Sequence, residues 1–248
     1  MNETKSQVTE FGNNRVQVLS SNGTHLRSFG RIGNNQGEFY FPSGIAFHND
    51  NIIVVDTGNH CVQLLFSDQG KYVGQFGGEG SLDQSILVVY QLIAMVTLLL
   101  LIKINKLIKI FSQSGQLLRK IDTGGSFTFP FHGIQHDDYL IASDRGYHCV
   151  KVFDQEGKFL CKFGKKRGGY GESTEPGCLS VNKAGYLLVC DSGNHRIQVF
   201  ELSGTFVTKF GTEGSGIGEL NAPISTAVLN DGRIVVSDSN NHRIQVFE

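Results

Sequence analysis

The string D-S-G-N-H-R-I-Q-V-F at residues 191–200 returns along the chain in recognisable copies. It reads D-T-G-N-H-C-V-Q-L-L at 56–65, D-R-G-Y-H-C-V-K-V-F at 144–153 and D-S-N-N-H-R-I-Q-V-F at 238–247, with degenerate copies at 10–19 and 105–111. Successive copies lie 42 to 47 residues apart. A fixed period of this length indicates a chain of repeated supersecondary units.

Each unit offers four short apolar runs separated by turn residues. In the fourth full copy the runs are Leu179–Val181, Tyr186–Cys190, Arg196–Phe200 and Phe206–Phe210. Apolar and polar residues alternate in the third run, which is the periodicity of a strand. Four antiparallel strands at a period of 40 to 50 residues are typical of one blade of a β-propeller.

The repeat spacing predicts an all-β fold, a six-bladed propeller of four-stranded antiparallel blades, in one domain over 1–248. Partial units are expected at both ends and full units between them, with 22 strands in total. The ring is expected to be incomplete at the terminal seam, and the chain to be a fragment at both ends. The predicted units are 1–30 (partial), 31–77, 78–124, 125–164, 165–211 and 212–248 (partial).

Residues 85–104 are anomalous, because they contain no glycine, no proline and a single charge at Lys103. Taken alone, the segment is a transmembrane candidate of marginal length. The interval from Asn59 to Asn105 is nevertheless a full repeat, so nothing has been inserted. We favour a segment translated in a shifted reading frame, in which Met95 and Val96 would encode a glycine where the repeat needs one. Natural divergence and a genuine membrane span are the alternatives, and no membrane association is expected.

Two motifs carry a resemblance to a known family. N-H-R-I-Q-V-F at 194–200 followed by G-T-F-V-T-K-F-G at 204–211 resembles the NHL repeat. The glycine-rich stretches at 29–39 and 210–220 are most similar to those in the C-terminal domain of tripartite-motif/NHL proteins.

This resemblance implies a non-catalytic propeller that binds a protein target for a tripartite-motif-like E3 ubiquitin ligase. The RING domain of such a ligase, and the regions that set its oligomeric state, would lie upstream. The resemblance leaves two alternatives open. One is single-stranded RNA binding in post-transcriptional regulation, and the more distant one is a lyase-type NHL enzyme.

The composition adds limits on chemistry. The net charge of −1 gives no global field for nucleic acid or membrane. An odd number of cysteines, with no C-x-x-C pair, favours a reducing compartment, and we expect the cytoplasm. No nucleophile, phosphate-binding or metal-ligand motif is present, so neither a cofactor nor a metal is expected. Equivalent histidines lie on different blades, too far apart to share one ion.

In a propeller, the loops between blades lie on the same face as the turns between the second and third strands. We predict that this face binds the partner. Its predicted contact residues are Arg15, Arg31, His60, Arg145, His148, Lys162, Lys165, Lys166, Arg167, Tyr170, His195, Arg196, His242 and Arg243. The residues predicted to satisfy turn backbone are Asp56, Asn59, Asp144, Asp191, Asn194, Asp238 and Asn241.

Overall fold

The computed structural model shows an all-β protein. It describes residues 6–20, 22–48, 51–66, 70–77, 87–93, 97–102, 107–112, 115–122 and 127–248. These residues form 22 strands in six sheets, four of them with four strands and two with three. The chain divides into two compact units, residues 1–120 and 121–248.

The first three sheets follow one another in sequence. The first contains β1 (Ser6–Glu10), β2 (Arg15–Leu19) and β3 (His25–Phe29). The second contains β4 (Pro42–His48), β5 (Asn51–Asp56), β6 (Cys61–Phe66) and β7 (Tyr72–Gly77). The third contains β8 (Leu87–Ile93), β9 (Thr97–Ile102), β10 (Leu107–Ser112) and β11 (Leu117–Asp122).

The next three sheets repeat the pattern. The fourth contains β12 (Pro130–His136), β13 (Tyr139–Asp144), β14 (Cys149–Asp154) and β15 (Phe159–Phe163). The fifth contains β16 (Pro176–Val181), β17 (Leu187–Asp191), β18 (Arg196–Phe200) and β19 (Phe206–Phe210). The sixth contains β20 (Pro223–Val228), β21 (Ile234–Asp238) and β22 (Arg243–Phe247).

Every sheet is a run of sequential antiparallel neighbours, so each strand pairs with the next one along the chain. The predicted class, a propeller of small antiparallel sheets, is confirmed, and the 22 strands are those that the repeat spacing predicts. Closure of the sheets into one six-bladed ring, and the single domain over 1–248, stay predictions.

The anomalous segment contributes strands to the third sheet. Strands β8 and β9 pair antiparallel from Leu87–Ile102 to Ile93–Thr97, and β9 also pairs with β10. Residues 85, 86, 94–96, 103 and 104 lie outside the described residues, so the proposed frame shift stays a hypothesis. Among the residues that the structure describes, no helix is long and apolar enough to cross a membrane.

The core lies between successive sheets of each unit. In the first unit Val16, Phe39, Ile52, Val54 and Leu65 form one buried cluster. In the second unit Ile197 and Val199 of the fifth sheet pack with Leu220 and Val236, which belong to the next repeat. Complete burial of one such side chain stabilises the fold by about 1.5–3 kcal/mol. A single sheet cannot bury its own faces, and the repeat solves this by stacking.

Candidate functional site: three matched loops and their buried carboxylates

Three of the loops that precede a sheet are closed by the same hydrogen bonds. They are loop A (31–38), loop B (165–172) and loop C (212–219). In each, the N–H of the residue after the loop donates to the carbonyl of its first residue: Phe39 to Arg31 at 2.8 Å, Ser173 to Lys165 at 2.9 Å and Leu220 to Thr212 at 2.8 Å. The seventh residue is a glycine whose N–H donates to a glutamine of the following sheet.

Loop B is held from beneath by side chains of the fifth sheet. Asn194 Nδ2 donates to the carbonyl of Arg167 at 3.0 Å. The guanidinium of Arg196 donates to the carbonyls of Gly168, Gly169 and Glu172 at 3.0, 2.7 and 2.9 Å. Gln198 Nε2 also donates to Glu172, at 2.7 Å. The loop's backbone is therefore fixed by side chains that lie 24 to 28 residues further along the chain.

These side chains converge on one buried carboxylate. Asp191 is 0% exposed, and its oxygens accept from Thr174 N at 2.7 Å, Arg196 Nε at 2.8 Å and Gln198 Nε2 at 3.0 Å. Asn194 Nδ2 donates to the same carboxylate at 2.9 Å. We call the set of aspartate, asparagine, cation and glutamine in one sheet a hub. The ion pair and the hydrogen bonds to this carboxylate offset the free energy of desolvation that burial costs.

The sixth sheet repeats this hub. Arg243 Nε donates to Asp238 at 2.7 Å, and its other nitrogens donate to the carbonyls of Ser215, Gly216 and Glu219 in loop C. Burial acts to raise the pKa of Asp238, but hydrogen bonds from Asn221 N–H, Asn241, Arg243 and Gln245 outweigh it and lower the pKa.

The buried carboxylate of the fourth sheet pairs with a lysine instead of an arginine. Cys149 stands where the fifth sheet has Arg196, and the ammonium group of Lys151 pairs with Asp144 at 2.7 Å. Both side chains are buried. Burial raises the pKa of Asp144, but the bonds from Lys151 and from two backbone N–H groups outweigh burial, so the pKa is lowered. The first sheet uses Glu10 and Arg15 as its ion pair.

Among the residues that the structure describes, no lysine or arginine pairs with the hub carboxylate of the second sheet. Asp56 is 0% exposed and accepts from Tyr40 N at 2.6 Å, Asn59 Nδ2 at 2.8 Å and Gln63 Nε2 at 2.9 Å. Cys61 stands in the arginine position, and its thiol lies 3.9 Å from the carboxylate. Burial raises the pKa of Asp56, and burial together with the Asp56 charge raises the pKa of the Cys61 thiol to about 12.

The outward side chains of the three loops differ. In loop B, Lys165 pairs with Glu172 at 3.1 Å, whereas Lys166 and Arg167 are exposed. Tyr170, at the sixth position, is 75% exposed; its ring lies 5.3 Å from that of Phe206, and Lys209 Nζ lies 5.2 Å from its centroid. The sixth position of loop C holds Ile217, which is 100% exposed. One scaffold thus presents different chemistry on different blades.

The turns between second and third strands lie at the same end of their sheets as these loops. Gly193 N donates to the carbonyl of Thr174 at 2.8 Å, and Gly58 and Asn240 make the equivalent bonds. The histidine that ends each turn adopts a left-handed conformation, with φ of 53° at His148 and 56° at His195.

Two of these histidines join one repeat to the next. The backbone N–H of Glu175 donates to His148 Nδ1 at 3.1 Å, and that of Ala222 donates to His195 Nδ1 at 3.1 Å. In the first repeat Asn14 Oδ1 accepts the equivalent bond from Phe41 N at 2.8 Å. The three donor residues are themselves left-handed. We call this contact the latch, since it fixes a strained residue at the start of the following sheet.

The remaining predicted surface residues are dispersed. Arg31 is exposed and pairs with Glu38 at 2.8 Å. Arg145 is half-buried, with its guanidinium carbon 3.6 Å from the centroid of Phe131, and burial lowers its pKa. Lys162 is exposed on β15 opposite the buried Lys151. Among the turn histidines, His242 is exposed, whereas His60 is half-buried.

One predicted contact residue needs correction. Arg196 is 4% exposed, and its guanidinium donates into its hub and loop B, so it supports that loop from beneath and does not form its surface. Arg243 donates into loop C in the same way, but its side chain keeps 30% of its exposure, so its contact role stays a prediction. The sequence places them on the right blades but cannot show that their donors are consumed by backbone carbonyls.

Sequence reasoning also missed several residues of this face. Gln63, Gln198 and Gln245 each donate to a hub carboxylate and to a loop carbonyl. Their signal was the glutamine repeated in the V-Q-L and I-Q-V strings. Ile217 had no repeat signal, because the matched loops carry Gln36 and Tyr170 at that position. Lys209 did have a signal, because the preceding copy carries Lys162 at the same position. In the described parts of the chain, no three or more His, Cys, Asp or Glu side chains are grouped so that they could hold a metal ion.

Comparison with known proteins places the chain by sequence and by fold. The family model for the NHL repeat matches residues 39–63, 174–200 and 220–247. The chain is 33% identical over 143 residues to "Protein brain tumor" of Drosophila melanogaster. The alignment covers 55% of this chain and 14% of that protein. The alignment thus reaches a small part of the relative's length.

Solved structures of low sequence identity share the fold. An inactive H270A virginiamycin B lyase from Staphylococcus aureus, solved with quinupristin, aligns with a TM-score of 0.69 at 11% identity, covering 100% of this chain and 81% of the lyase. A protein of unknown function from Bacteroides caccae aligns with a TM-score of 0.73 at 12% identity, over 96% and 83% of the two chains. Together with the repeat matches and the six antiparallel sheets, these results identify the chain as an NHL-repeat β-propeller.

Proposed function

We propose that this chain is a non-catalytic recognition propeller that binds a protein target through the loops that precede its sheets, loop A in the first unit and loops B and C in the second. The observation that carries the proposal is that these loops share one hydrogen-bonded backbone while their outward side chains differ. A rigid scaffold with variable tips is the arrangement that recognition surfaces use, because fixed backbone lowers the entropy lost on binding.

Exposed apolar side chains on these loops favour a protein partner. Ile217 is 100% exposed, Tyr170 75% and Ile32 65%. Each stands on one of the three loops, and aromatic and aliphatic side chains on rigid loops are suited to fill pockets on a partner. We further propose that the parent protein is a tripartite-motif-like E3 ubiquitin ligase, with transfer carried out by a RING domain elsewhere. The motifs at 29–39 and 210–220 support this.

A reducing, cytoplasmic setting belongs to the same proposal. The five cysteines, at positions 61, 149, 161, 178 and 190, are all free. Free thiols persist in a compartment that keeps them reduced.

Single-stranded RNA is the second candidate ligand, and one observation favours it. Loop B places the exposed cations Lys166 and Arg167 beside the exposed ring of Tyr170, with Lys209 over that ring. Phosphates need cations and unstacked bases need rings, so this grouping suits a single strand. Unlike the apolar tips, it is confined to one loop.

Affinity capture with nuclease treatment separates the two candidates. The wild-type chain is compared with Lys166→Glu/Arg167→Glu, with Ile217→Ser, and with Asp154→Ala as a control in the turn between β14 and β15. We expect bound proteins to survive nuclease digestion and to fall about tenfold with Ile217→Ser. Loss of all partners on digestion, with direct binding to a labelled RNA strand that only the loop B variant abolishes, would replace the protein target by RNA.

A further inference from the structure

The cation-free hub of the second sheet corresponds, residue by residue, to two hubs that hold a guanidinium group. In the fifth and sixth sheets that group belongs to Arg196 and Arg243, and each joins a buried carboxylate to three loop carbonyls. In the second sheet the corresponding side chain is Cys61, which is several atoms shorter and reaches only the carboxylate.

The acceptors that an arginine would use are nevertheless in place. Loop A keeps the bonds that fix loops B and C: Asn59 Nδ2 donates to Gly33 O at 2.8 Å, Gln63 Nε2 to Glu38 O at 2.6 Å, and Gly37 N to Gln63 Oε1 at 3.0 Å. The carbonyls that correspond to those of Gly168, Gly169 and Glu172 are therefore the carbonyls of Asn34, Asn35 and Glu38. We call Asp56, Cys61, Gln63 and these three carbonyls the Asp56 pocket.

The charge at this pocket is uncompensated within the described residues. Asp56 is fully buried, yet no lysine or arginine of the described chain pairs with it. The fourth sheet shows that the loss of the arginine can be offset from within the chain, because Lys151 supplies an ammonium group where Cys149 replaces it. The second sheet has Gln63 at the lysine position, so that offset is missing. The raised pKa of Asp56 agrees with a carboxylate that lacks a cation.

A solvent-open depression of about 560 Å³ lies against Asn34 and Asn35, two of the residues whose carbonyls belong to the Asp56 pocket. Asn34, Asn35, Gln36, Tyr72 and Gln75 line it, and loop A is exposed on this side. The side chain of the equivalent arginine keeps 30% of its exposure in the sixth sheet and 5% in the fifth, so solvent access to this place differs between sheets.

We propose that the Asp56 pocket binds a guanidinium group supplied in trans, by an arginine side chain of the protein target. The proposal rests on the recognition function above and names one chemical feature of the partner. A guanidinium is planar and carries five N–H donors in a fixed fork, which suits one carboxylate and several carbonyls at once. A lysine ammonium is a compact and strongly hydrated charge that cannot span them.

Free guanidinium ion tests the pocket without any target protein. About 20 mM guanidinium chloride is compared with about 20 mM ammonium chloride on the full chain. A Kd on the order of 10 mM would raise the Tm by about 1–3 °C. Amide chemical shifts should change within residues 33–38 and 56–63. A denaturing response to both salts, with no localised shifts, would overturn the proposal.

Variants at two positions decide whether the response comes from this pocket. Cys61→Ala removes the thiol without filling the space and should keep the response, whereas Cys61→Arg fills the pocket from within and should abolish it. Asp56→Asn removes the anion and should also abolish it. A response that persists in Asp56→Asn would overturn the proposal even if Cys61→Arg does not fold.

The side-chain part of the proposal has its own test. N-acetyl-arginine amide should shift the same amides as guanidinium, and N-acetyl-lysine amide should bind at least about tenfold more weakly. Binding of guanidinium without binding of the arginine derivative would overturn recognition in trans. None of these outcomes depends on loop B or on a captured target, so they stay separate from the test of the proposed function.

Discussion

The hubs of the second and fifth sheets hold the same buried carboxylate in two electrostatic settings. Asp191 accepts from a guanidinium, an asparagine, a glutamine, a serine hydroxyl and a backbone N–H. Asp56 keeps the asparagine, the glutamine and the backbone N–H but meets a thiol in place of the cation. Both loops above them nevertheless keep the same closing hydrogen bonds, so the neutral donors are sufficient for those bonds.

The difference between the two hubs separates the role of the neutral donors from the role of the cation. The asparagine and the glutamine hold the loop backbone, because in all three cases they donate hydrogen bonds to carbonyls of the matched loop above them. The cation compensates charge, and the chain varies it: arginine in the fifth and sixth sheets, lysine in the fourth and none in the second. A cation that is free to vary can be supplied from elsewhere, including by a partner.

The largest effect is expected from removing the carboxylate where the cation is buried. Asp191→Ala leaves Arg196 uncompensated and frees Thr174 N–H, so we expect a loss of about 3–5 kcal/mol of unfolding free energy. Urea denaturation measures it. Asp231→Ala is the control, because its ion pair with Arg233 is exposed to solvent and should contribute little to stability. Equal losses in the two variants would contradict the distinction between hub and surface pair.

Lys151→Gln would give the fourth hub the aspartate, cysteine and glutamine of the second, with Tyr147 still at the position of Asn59. The variant places Asp144, Cys149 and a glutamine in the arrangement that the second sheet has with Asp56, Cys61 and Gln63. We expect a loss of about 1–3 kcal/mol, because the glutamine restores a hydrogen bond but not the charge. Thermal unfolding against the exposed variant Lys158→Gln checks it. An unchanged stability would mean that the buried cation contributes nothing net.

Hubs in which folding lowers the aspartate pKa and the hub in which folding raises it predict opposite dependence of folding stability on pH. The pKa values of Asp144 and Asp238 are lowered on folding, so their contribution to stability is present above the ordinary value of 3.8 and is lost as pH falls through the folded values. The pKa of Asp56 is raised, so its contribution declines as pH rises above 3.8. Asp56→Asn removes the opposing contribution. Its stability should fall more steeply than that of the wild type on acidification from pH 6 to 4, as urea titrations at each pH would show. A shallower slope would reverse the assignment for Asp56.

The smallest effect concerns the latch, where two regions use different side chains for one bond. His195→Ala leaves the N–H of the left-handed Ala222 without its acceptor and should cost about 1 kcal/mol. His195→Asn should stay within about 0.5 kcal/mol of the wild type, because Asn14 already makes the equivalent bond to Phe41. Chemical denaturation compares the two. A loss in His195→Asn as large as in His195→Ala would show that the ring, and not its acceptor atom, matters.

Strand positions were predictable from the sequence because their signals are local. Alternation in Arg196–Phe200, turn residues at 192–194 and the glycine before Phe206 each act over a few residues, and the observed β18 and β19 have the predicted bounds. The innermost strand was predicted too short, since β16 begins at Pro176. The residues 176–178 that extend it contain a β-bulge, which breaks the alternation.

The sequence by itself therefore determined the repeat, the strands and the columns of aspartate, asparagine and glutamine, because these recur at one period and act on neighbouring backbone. Only the tertiary structure decided that Arg196 is buried, that Lys151 replaces an arginine two residues away, and that Asp56 has no cation. These facts depend on where a loop some 25 residues earlier in the chain folds back and aims its carbonyls. Long-range placement of that kind leaves no trace in local sequence spacing, and here it decides which groups surround each hub carboxylate.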